Sequence, residues 1–165
     1  MQTDVTLIRA FCASWGYFYG LTREALDFQS LIDNAFKGVY CFQAQGRINP
    51  VTTAATGFMN GKTYTGRLYF GVPSDLDGIL NYDKYDNVVL NIDKLDIPAQ
   101  LVQYLCKEYV IRVSNMQPFY NLFAINYDGI SFDYEILISD KSELTEALKR
   151  EFIANGIFLP VEEGD

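Results

Sequence analysis

The sequence predicts an α+β fold, a single domain over residues 1–165 in which an antiparallel sheet of long hairpins packs against helices. Two observations carry this prediction. Strand-like alternation of apolar and polar residues falls in two blocks, residues 39–72 and 109–139, and helical spacing of apolar residues occurs before, between and after them. The chain of 165 residues has the length of one domain, and its sequence contains no linker or internal repeat.

Two helices are expected at the N-terminal end. The first covers Thr3–Trp15, where apolar side chains recur on one face and either Thr3 or Asp4 can cap the start. The second covers Thr22–Lys37, and Gly38 is placed to end it because glycine readily adopts the left-handed conformation of a C-cap.

The first β block contains a strand and a long hairpin. The strand covers Val39–Ile48 and is expected to end at Pro50, which has no backbone N–H to donate. Asn60-Gly61 lies between two strand-like runs and predicts a hairpin turn at that point. In the second arm of this hairpin, the expected buried face holds Tyr64, Gly66, Leu68 and Phe70, and the expected wetter face holds Thr63, Thr65, Arg67 and Tyr69.

A loop, a helix and a strand are expected between the two hairpins. Pro73–Asn87 is rich in turn residues and acids, but their spacing does not match an EF-hand calcium loop, so a solvated loop without metal is predicted. A helix over Leu95–Tyr109 follows, with Asp96 as its cap and Pro98 in its first turn. The strand covers Tyr109–Asn115.

The stretch from Phe119 to Asp140 contains four acidic side chains, which raises the question of a catalytic or metal site. We expect a hairpin with Asp128-Gly129 in a type I′ turn, because that dipeptide suits positive φ angles. The expected cross-strand pairs are Tyr127–Ile130, Ile125–Phe132, Phe123–Tyr134, Asn121–Ile136 and Phe119–Ile138. Asp133 and Glu135 then lie on the wetter face, and two acids on one strand without an identified partner are weak support for acid–base catalysis.

The last predicted helix covers Asp140–Gly156. A D-x-x-E signal formed by Asp140 and Glu143 marks its start, and Asn155-Gly156 marks its end. The remaining tail, "IFLPVEEGD", is apolar in its first half and acidic in its second.

Composition excludes several functional classes. The absence of histidine removes Ser-His-Asp and Cys-His catalysis and most zinc sites, and the net charge of −8 disfavours tight nucleic-acid binding. No apolar run approaches the ~20 residues that span a bilayer, and the first residues do not resemble a signal peptide. Cys12, Cys41 and Cys106 are expected to be reduced, packed thiols in a cytosolic fold. We predict no enzymatic activity, no cofactor and no metal.

The aromatic content favours a surface that another protein covers. Aromatic residues make up 15% of the chain, and twelve of them are tyrosines, which suit interfaces because they join a large apolar body to a polar tip. The expected interface residues are Phe58, Met59 and Tyr64 at the tip of the Asn60-Gly61 hairpin, and Tyr120, Leu122 and Leu137 on the wetter face of the C-terminal hairpin.

The stretch "NLFAINYDGISFDYEILIS", above all "NYDGI" and the strand after it, resembles a segment of the small ring-forming proteins of tailed bacteriophages. These are tail terminators and head–tail connector or neck ring proteins, including those of crAss-like phages. The order of helix, long hairpin, central helix, second hairpin and terminal helix extends the resemblance over most of the chain, although Pro73–Asn87 is longer than a minimal tail terminator would have.

This resemblance implies a homo-oligomeric ring in the neck or tail of the virion, assembled in the host bacterial cytoplasm and not associated with a membrane. Its partners would be the portal and neighbouring neck or tail proteins, and genomic DNA would pass through the lumen without specific binding. The acidic balance suits that role, because acidic side chains around a lumen repel phosphate.

Two other functional classes are consistent with the residues. One is a stand-alone cytosolic α+β domain, either a small-ligand binder or an enzyme without histidine. The other is a chaperone or inhibitor that works only through its surface.

Overall fold

A computed structural model describes residues 2–22, 38–52, 59–73, 81–122 and 127–139, and these residues form an α+β fold. The helical elements are α1 (Asp4–Trp15), α2 (Asn81–Lys84), a π-helical turn (Tyr85–Val89), α3 (Leu90–Asp93) and α4 (Ile97–Leu105). The strands are β1 (Phe18–Leu21), β2 (Tyr40–Thr52), β3 (Met59–Pro73), β4 (Val110–Leu122) and β5 (Tyr127–Ser139). The helices predicted over Thr22–Lys37 and Asp140–Gly156 lie outside the described residues, apart from Thr22.

The five strands form one sheet in the order β1-β2-β3-β5-β4. Every pair is antiparallel except β1 and β2, which run parallel. The prediction of a largely antiparallel sheet with helices is therefore confirmed. β1 was not predicted, because a strand of four residues directly after a helix gives too short an alternation to recognise.

The main core lies between the helices and one face of the sheet, which we call the helix-side face. α1 contributes Ile8 and Phe11, α4 contributes Leu101, and all three are fully buried. On the sheet, Phe70 and Phe132 stack with their ring centroids 5.7 Å apart. The predicted alternation is correct here, since Tyr64, Leu68, Phe70, Ile130, Phe132, Tyr134, Ile136 and Ile138 are all buried in this core.

α1 begins and ends as its sequence predicts. Thr3 is the N-cap and forms a reciprocal capping box with Thr6. Gly16 follows the last turn with φ at +72°, and its backbone N–H bonds to the carbonyls of Ala13 and Cys12. At α4, Asp96 occupies the expected N-cap position, but it has a left-handed backbone and its side chain makes no capping bond.

Asn60-Gly61 does not form the predicted turn. Both residues lie inside β3, where Gly61 is the partner of Val51 on one side and of Ser139 on the other. β2 also continues through Pro50, the partner of Lys62, so the prediction that Pro50 ends the strand is wrong. Pro50 is tolerated because β1 pairs only as far as Gln43, which leaves the outer side of β2 without a described partner at Pro50.

Asp128-Gly129 is not a turn either. Both residues lie inside β5, and Gly129 stands between Gly71 of β3 and Phe119 of β4. The predicted cross-strand pairs are therefore wrong, and Ile130 faces Pro118 instead. Glycine is required at 129 by close packing, because a Cβ there would overlap the Phe70 carbonyl oxygen and lie 2.5 Å from the Gly71 Cα.

Two further expectations differ from the structure, one for residues 81–93 and one for Cys106. Residues 81–93, expected in part as loop, are helical, because Val89 and Ile92 are buried in the core and hold the backbone there. Cys12 and Cys41 are buried free thiols as predicted, whereas Cys106 is exposed after the last turn of α4.

Gly129→Ala is expected to reduce the free energy of unfolding by about 1–3 kcal/mol, because the added Cβ overpacks against the β3 backbone. Gly129→Asn should cost more, since its side chain is larger. Gly16 is the matched control: its φ is positive and no heavy atom lies within 4 Å of an added Cβ. There Asn should cost less than Ala, because Asn tolerates the left-handed region. Urea unfolding followed by circular dichroism measures all four variants, and a lower cost for Asn at position 129 would contradict the packing explanation.

Candidate interaction surface on the second face and edges of the sheet

The face of the sheet opposite the helix-side face, which we call the second face, has three zones along the strands. At one end lies a buried aromatic cluster of Tyr40, Phe42, Phe119 and Tyr127, with Phe18, Tyr69 and Leu122 packed against it. The middle zone is charged. At the other end lies an apolar row of two cross-strand partners, Leu137 and Val110, of which Val110 is 67% exposed. Val51 is on the same face but is separated from Leu137 by Gly61 and Thr63 of β3.

Arg67 organises the charged zone. Its guanidinium donates to Asp133 Oδ1 at 2.7 Å, to Ser131 Oγ at 2.8 Å and to the Asn115 carbonyl oxygen at 3.1 Å. Asn115 Nδ2 in turn donates to Asp133 Oδ2 at 2.8 Å. The Asn115 amide and the Arg67 guanidinium lower the pKa of Asp133, so this carboxylate stays ionised and fully partnered.

A second ion pair lies beside the first. Arg112 Nη2 donates to Glu135 Oε2 at 2.9 Å, and this pair is open to solvent, with the Arg112 side chain 74% exposed. The acids Asp133 and Glu135 do lie on the wetter face, as predicted, and each has an arginine partner that the sequence did not reveal. A groove of about 720 Å³ crosses this zone, and we call it the arginine groove; it is lined by Ala44, Gly46, Arg47, Thr65, Gly66, Arg67, Arg112, Ser114, Asp133, Tyr134 and Glu135.

Asp128 belongs to a buried charge cluster on the helix-side face. Its Oδ1 accepts the backbone N–H of Asn121 at 2.8 Å, and its Oδ2 lies 3.7 Å from Lys84 Nζ, with both side chains almost fully buried. Lys84 Nζ also donates to Asn121 Oδ1 at 2.6 Å. Asp128 therefore positions the backbone of β4, and the role in a turn that the sequence suggested is wrong.

Both charge clusters stabilise a bulge in β4. β4 contains two bulges, each with two residues opposite a single residue of β5, and each bulge contains an asparagine with positive φ, Asn115 at 54° and Asn121 at 51°. The Arg67–Asp133 pair holds the first bulge, and the Lys84–Asp128 pair holds the second. Two of the four acids that first suggested a catalytic site, Asp128 and Asp133, are thus explained by the shape of the edge strand.

A third polar cluster lies under the helices. Asp4 Oδ2 accepts hydrogen bonds from Tyr134 Oη at 2.6 Å and Gln43 Nε2 at 3.0 Å, and Asp4 Oδ1 accepts the Val5 N–H at 2.9 Å. Tyr19 Oη donates to Gln43 Oε1 at 2.5 Å. Burial, and then the hydrogen bond to Asp4, raise the pKa of Tyr134 well above its usual value. The cluster is closed and satisfied, which is the pattern of a structural network.

Of the six predicted interface residues, the four whose side chains the structure describes do not share one surface. Tyr64 is only 4% exposed and lies in the main core, so its placement at a solvent-facing tip is wrong. Tyr120 packs against the main core, and Leu122 packs against the aromatic cluster on the opposite face. Leu137 lies beside Val110 on the second face and, like Tyr120 and Leu122, is half-buried. Phe58 lies outside the described residues, as does the side chain of Met59.

Two strand edges, on opposite sides of the sheet, have no neighbour among the described strands. β4 is the last strand in the order and pairs only with β5 among the described strands, and most of its residues are exposed. β2 has no described neighbour on its outer side beyond Gln43, and residues 45–51 are exposed, with Ile48 at 56%. Open edges carry unpaired N–H and C=O groups and readily accept another strand.

The described residues include no group of three or more acidic or cysteine side chains that could hold a metal ion. None of the described helices combines the length and the apolar character needed to cross a bilayer. Comparison with protein-family models, with curated proteins and with solved structures found no match to this chain.

Asp128→Asn is expected to destabilise the fold by about 3–5 kcal/mol, because it leaves the Lys84 ammonium buried without a counter-charge. Asp133→Asn is the matched control, since it removes the other acid that holds a bulge, and its cost should stay below about 1 kcal/mol because that pair is partly exposed. A double-mutant cycle with Lys84→Met, measured by urea unfolding, should show that the double variant loses less than the two single variants together. Equal costs for Asp128→Asn and Asp133→Asn would contradict this role.

Proposed function

We propose that this chain is a structural virion subunit that assembles head to tail into a ring at the neck or tail terminator of a tailed bacteriophage, with genomic DNA passing through the lumen. The single observation that carries the proposal is the pair of edges, on opposite sides of one sheet, that no described strand covers. The resemblance of the C-terminal hairpin to phage ring proteins supplies the biological setting.

Two different edges suit a ring because the contact they make is heterologous. When β4 of one copy pairs with β2 of the next, each copy still has one free edge, so addition continues until rotation closes the ring. Main-chain hydrogen bonds between added strands supply much of the attraction in contacts of this kind. A contact between two β4 edges, by comparison, would stop at a dimer.

The bulges restrict where the edges can pair. The bulge of β2 falls between Gln45 and Ile48, and the first bulge of β4 falls after Ser114. Regular strand remains at residues 48–51 of β2, where Pro50 offers a neighbour its carbonyl but no N–H, and at residues 110–114 of β4. The cross-strand row Asn49–Thr63–Leu137–Val110 places both segments at the same end of the sheet. Edge pairing at that end would join the sheets of neighbouring copies without shifting one copy along the strand direction.

The charge balance agrees with DNA passage. The net charge is −8, and the arginines of the second face are partly neutralised by Asp133 and Glu135. A subunit with this balance repels phosphate over most of its surface, which favours sliding over binding.

Blocking each edge separately tests the proposal. Ile48→Lys and Val110→Lys replace exposed residues on β2 and β4, and lysine on an edge disfavours strand pairing. Each variant alone should be monomeric by sedimentation velocity and mass photometry, while the wild type forms a closed oligomer. A mixture of the two should form a one-to-one dimer, because each variant keeps one intact edge.

Leu95→Lys, at an exposed residue outside both edges, is the matched control and should assemble like the wild type. A wild type that stays monomeric, also when its phage neighbours are present, would favour the stand-alone domain. Dimers of the Ile48→Lys variant alone would show that two β4 edges pair with each other, which would contradict a head-to-tail ring.

A further inference from the structure

The arginine groove has a small excess of positive charge in an acidic chain, since its lining holds three arginines against the two acids Asp133 and Glu135. Three of the six arginines line it, while the chain as a whole carries a net charge of −8. Arg67 is committed to Asp133 and to the β4 bulge, but Arg112 is 74% exposed and Arg47 is exposed. Each guanidinium has five N–H donors, so both offer donors to an incoming carboxylate.

An apolar row lies directly beside the groove. Val110 precedes Arg112 by two residues on β4, and Leu137 follows Glu135 by two on β5, so the rows are about 7 Å apart. Val110 is 67% exposed and Val51 is 39% exposed. A ligand that fits this surface therefore needs an apolar part next to an anionic part.

Residues 157–165 of this same chain have that composition in that order. Five apolar residues, Ile157 to Val161, precede Glu162, Glu163 and Asp165. We infer that this tail docks on the second face of its own subunit, with the apolar half on the Leu137–Val110 row and the acidic half in the arginine groove.

The tether favours the chain's own tail over that of a neighbour. β5 ends at Ser139, at the apolar end of the second face, and residues 140–156 connect it to the tail. The seventeen residues have an extended reach of about 55 Å, and the distance along β5 from Ser139 to Asp133 is about 20 Å, so the tail can reach. Exposed ion pairs are weak, and a tether compensates by raising the effective concentration into the millimolar range.

Release of the last residues by a carboxypeptidase measures docking, because a docked tail is protected. Arg47→Glu with Arg112→Glu should make release roughly three- to tenfold faster, since two exposed ion pairs are lost. Arg9→Glu with Lys107→Glu changes the net charge by the same amount at exposed sites outside the groove and should leave release unchanged. A tail with Glu162→Lys and Glu163→Lys should instead bind the groove that carries Arg47→Glu and Arg112→Glu. Its release should therefore be slower from that variant groove than from the natural groove.

The assay is run in the wild-type and Ile48→Lys chains over about a hundredfold dilution, with sedimentation on the same samples. Protection of monomers that does not change on dilution is the expected result, whether or not the chain forms rings. If the rate of release does not depend on the groove charges for either the natural or the lysine-substituted tail, the proposal is overturned. Protection found only in assembled samples would assign the groove to a neighbour's tail and overturn the assignment to the same subunit.

Discussion

The position of α1 on the sheet depends on one buried carboxylate. Asp4 lies in the first turn of α1 and accepts hydrogen bonds from side chains of β2 and β5, so it joins the helix to two strands at once. A buried carboxylate is costly unless donors satisfy it, and here Gln43, Tyr134 and the Val5 N–H do so. Tyr134 reaches Asp4 because Gly66 lies beneath its ring: a Cβ there would lie 2.7 Å from the Tyr134 Cζ.

Because Asp4 fixes α1 on one face, the two faces of the sheet have different surroundings. The helix-side face is occupied by the Asp4 cluster and the main core, and burial keeps Tyr134 protonated by raising its pKa. Because that pKa is raised above the ordinary value of 10.0, the stability gained from the protonated tyrosine is complete below that value and is lost only as the pH rises beyond it. The charged middle and apolar end of the second face are thereby left for contacts with other segments or copies.

The sequence allowed good prediction of features that depend on local periodicity and poor prediction of features set by distant neighbours. The alternation of Ile130, Phe132 and Tyr134 correctly indicated a buried strand face, and Thr3 was correctly named as a candidate cap of α1. The turn signals at Asn60-Gly61 and Asp128-Gly129 gave wrong predictions, since both dipeptides lie inside strands. At position 129, glycine is needed for close contact with β3, which is far away in sequence. The groove was missed for the same reason, since Arg47, Arg67 and Arg112 come from three strands that only the pairing register brings together.

The acids of the C-terminal hairpin show how the fold can prepare an edge for selective contact. An unbroken edge of thirteen residues would accept almost any strand, including those of misfolded chains. Asp133 and Asp128 hold bulges that interrupt β4 twice, so only a short regular segment stays open next to Val110. The Lys84–Asp128 pair lies in the interior, so the second bulge cannot be removed without disturbing the core, whereas the Arg67–Asp133 pair anchors the first bulge to β3 on the partly exposed second face. The charges therefore shape the surface through which we expect the protein to act, and they need no chemistry of their own to do so.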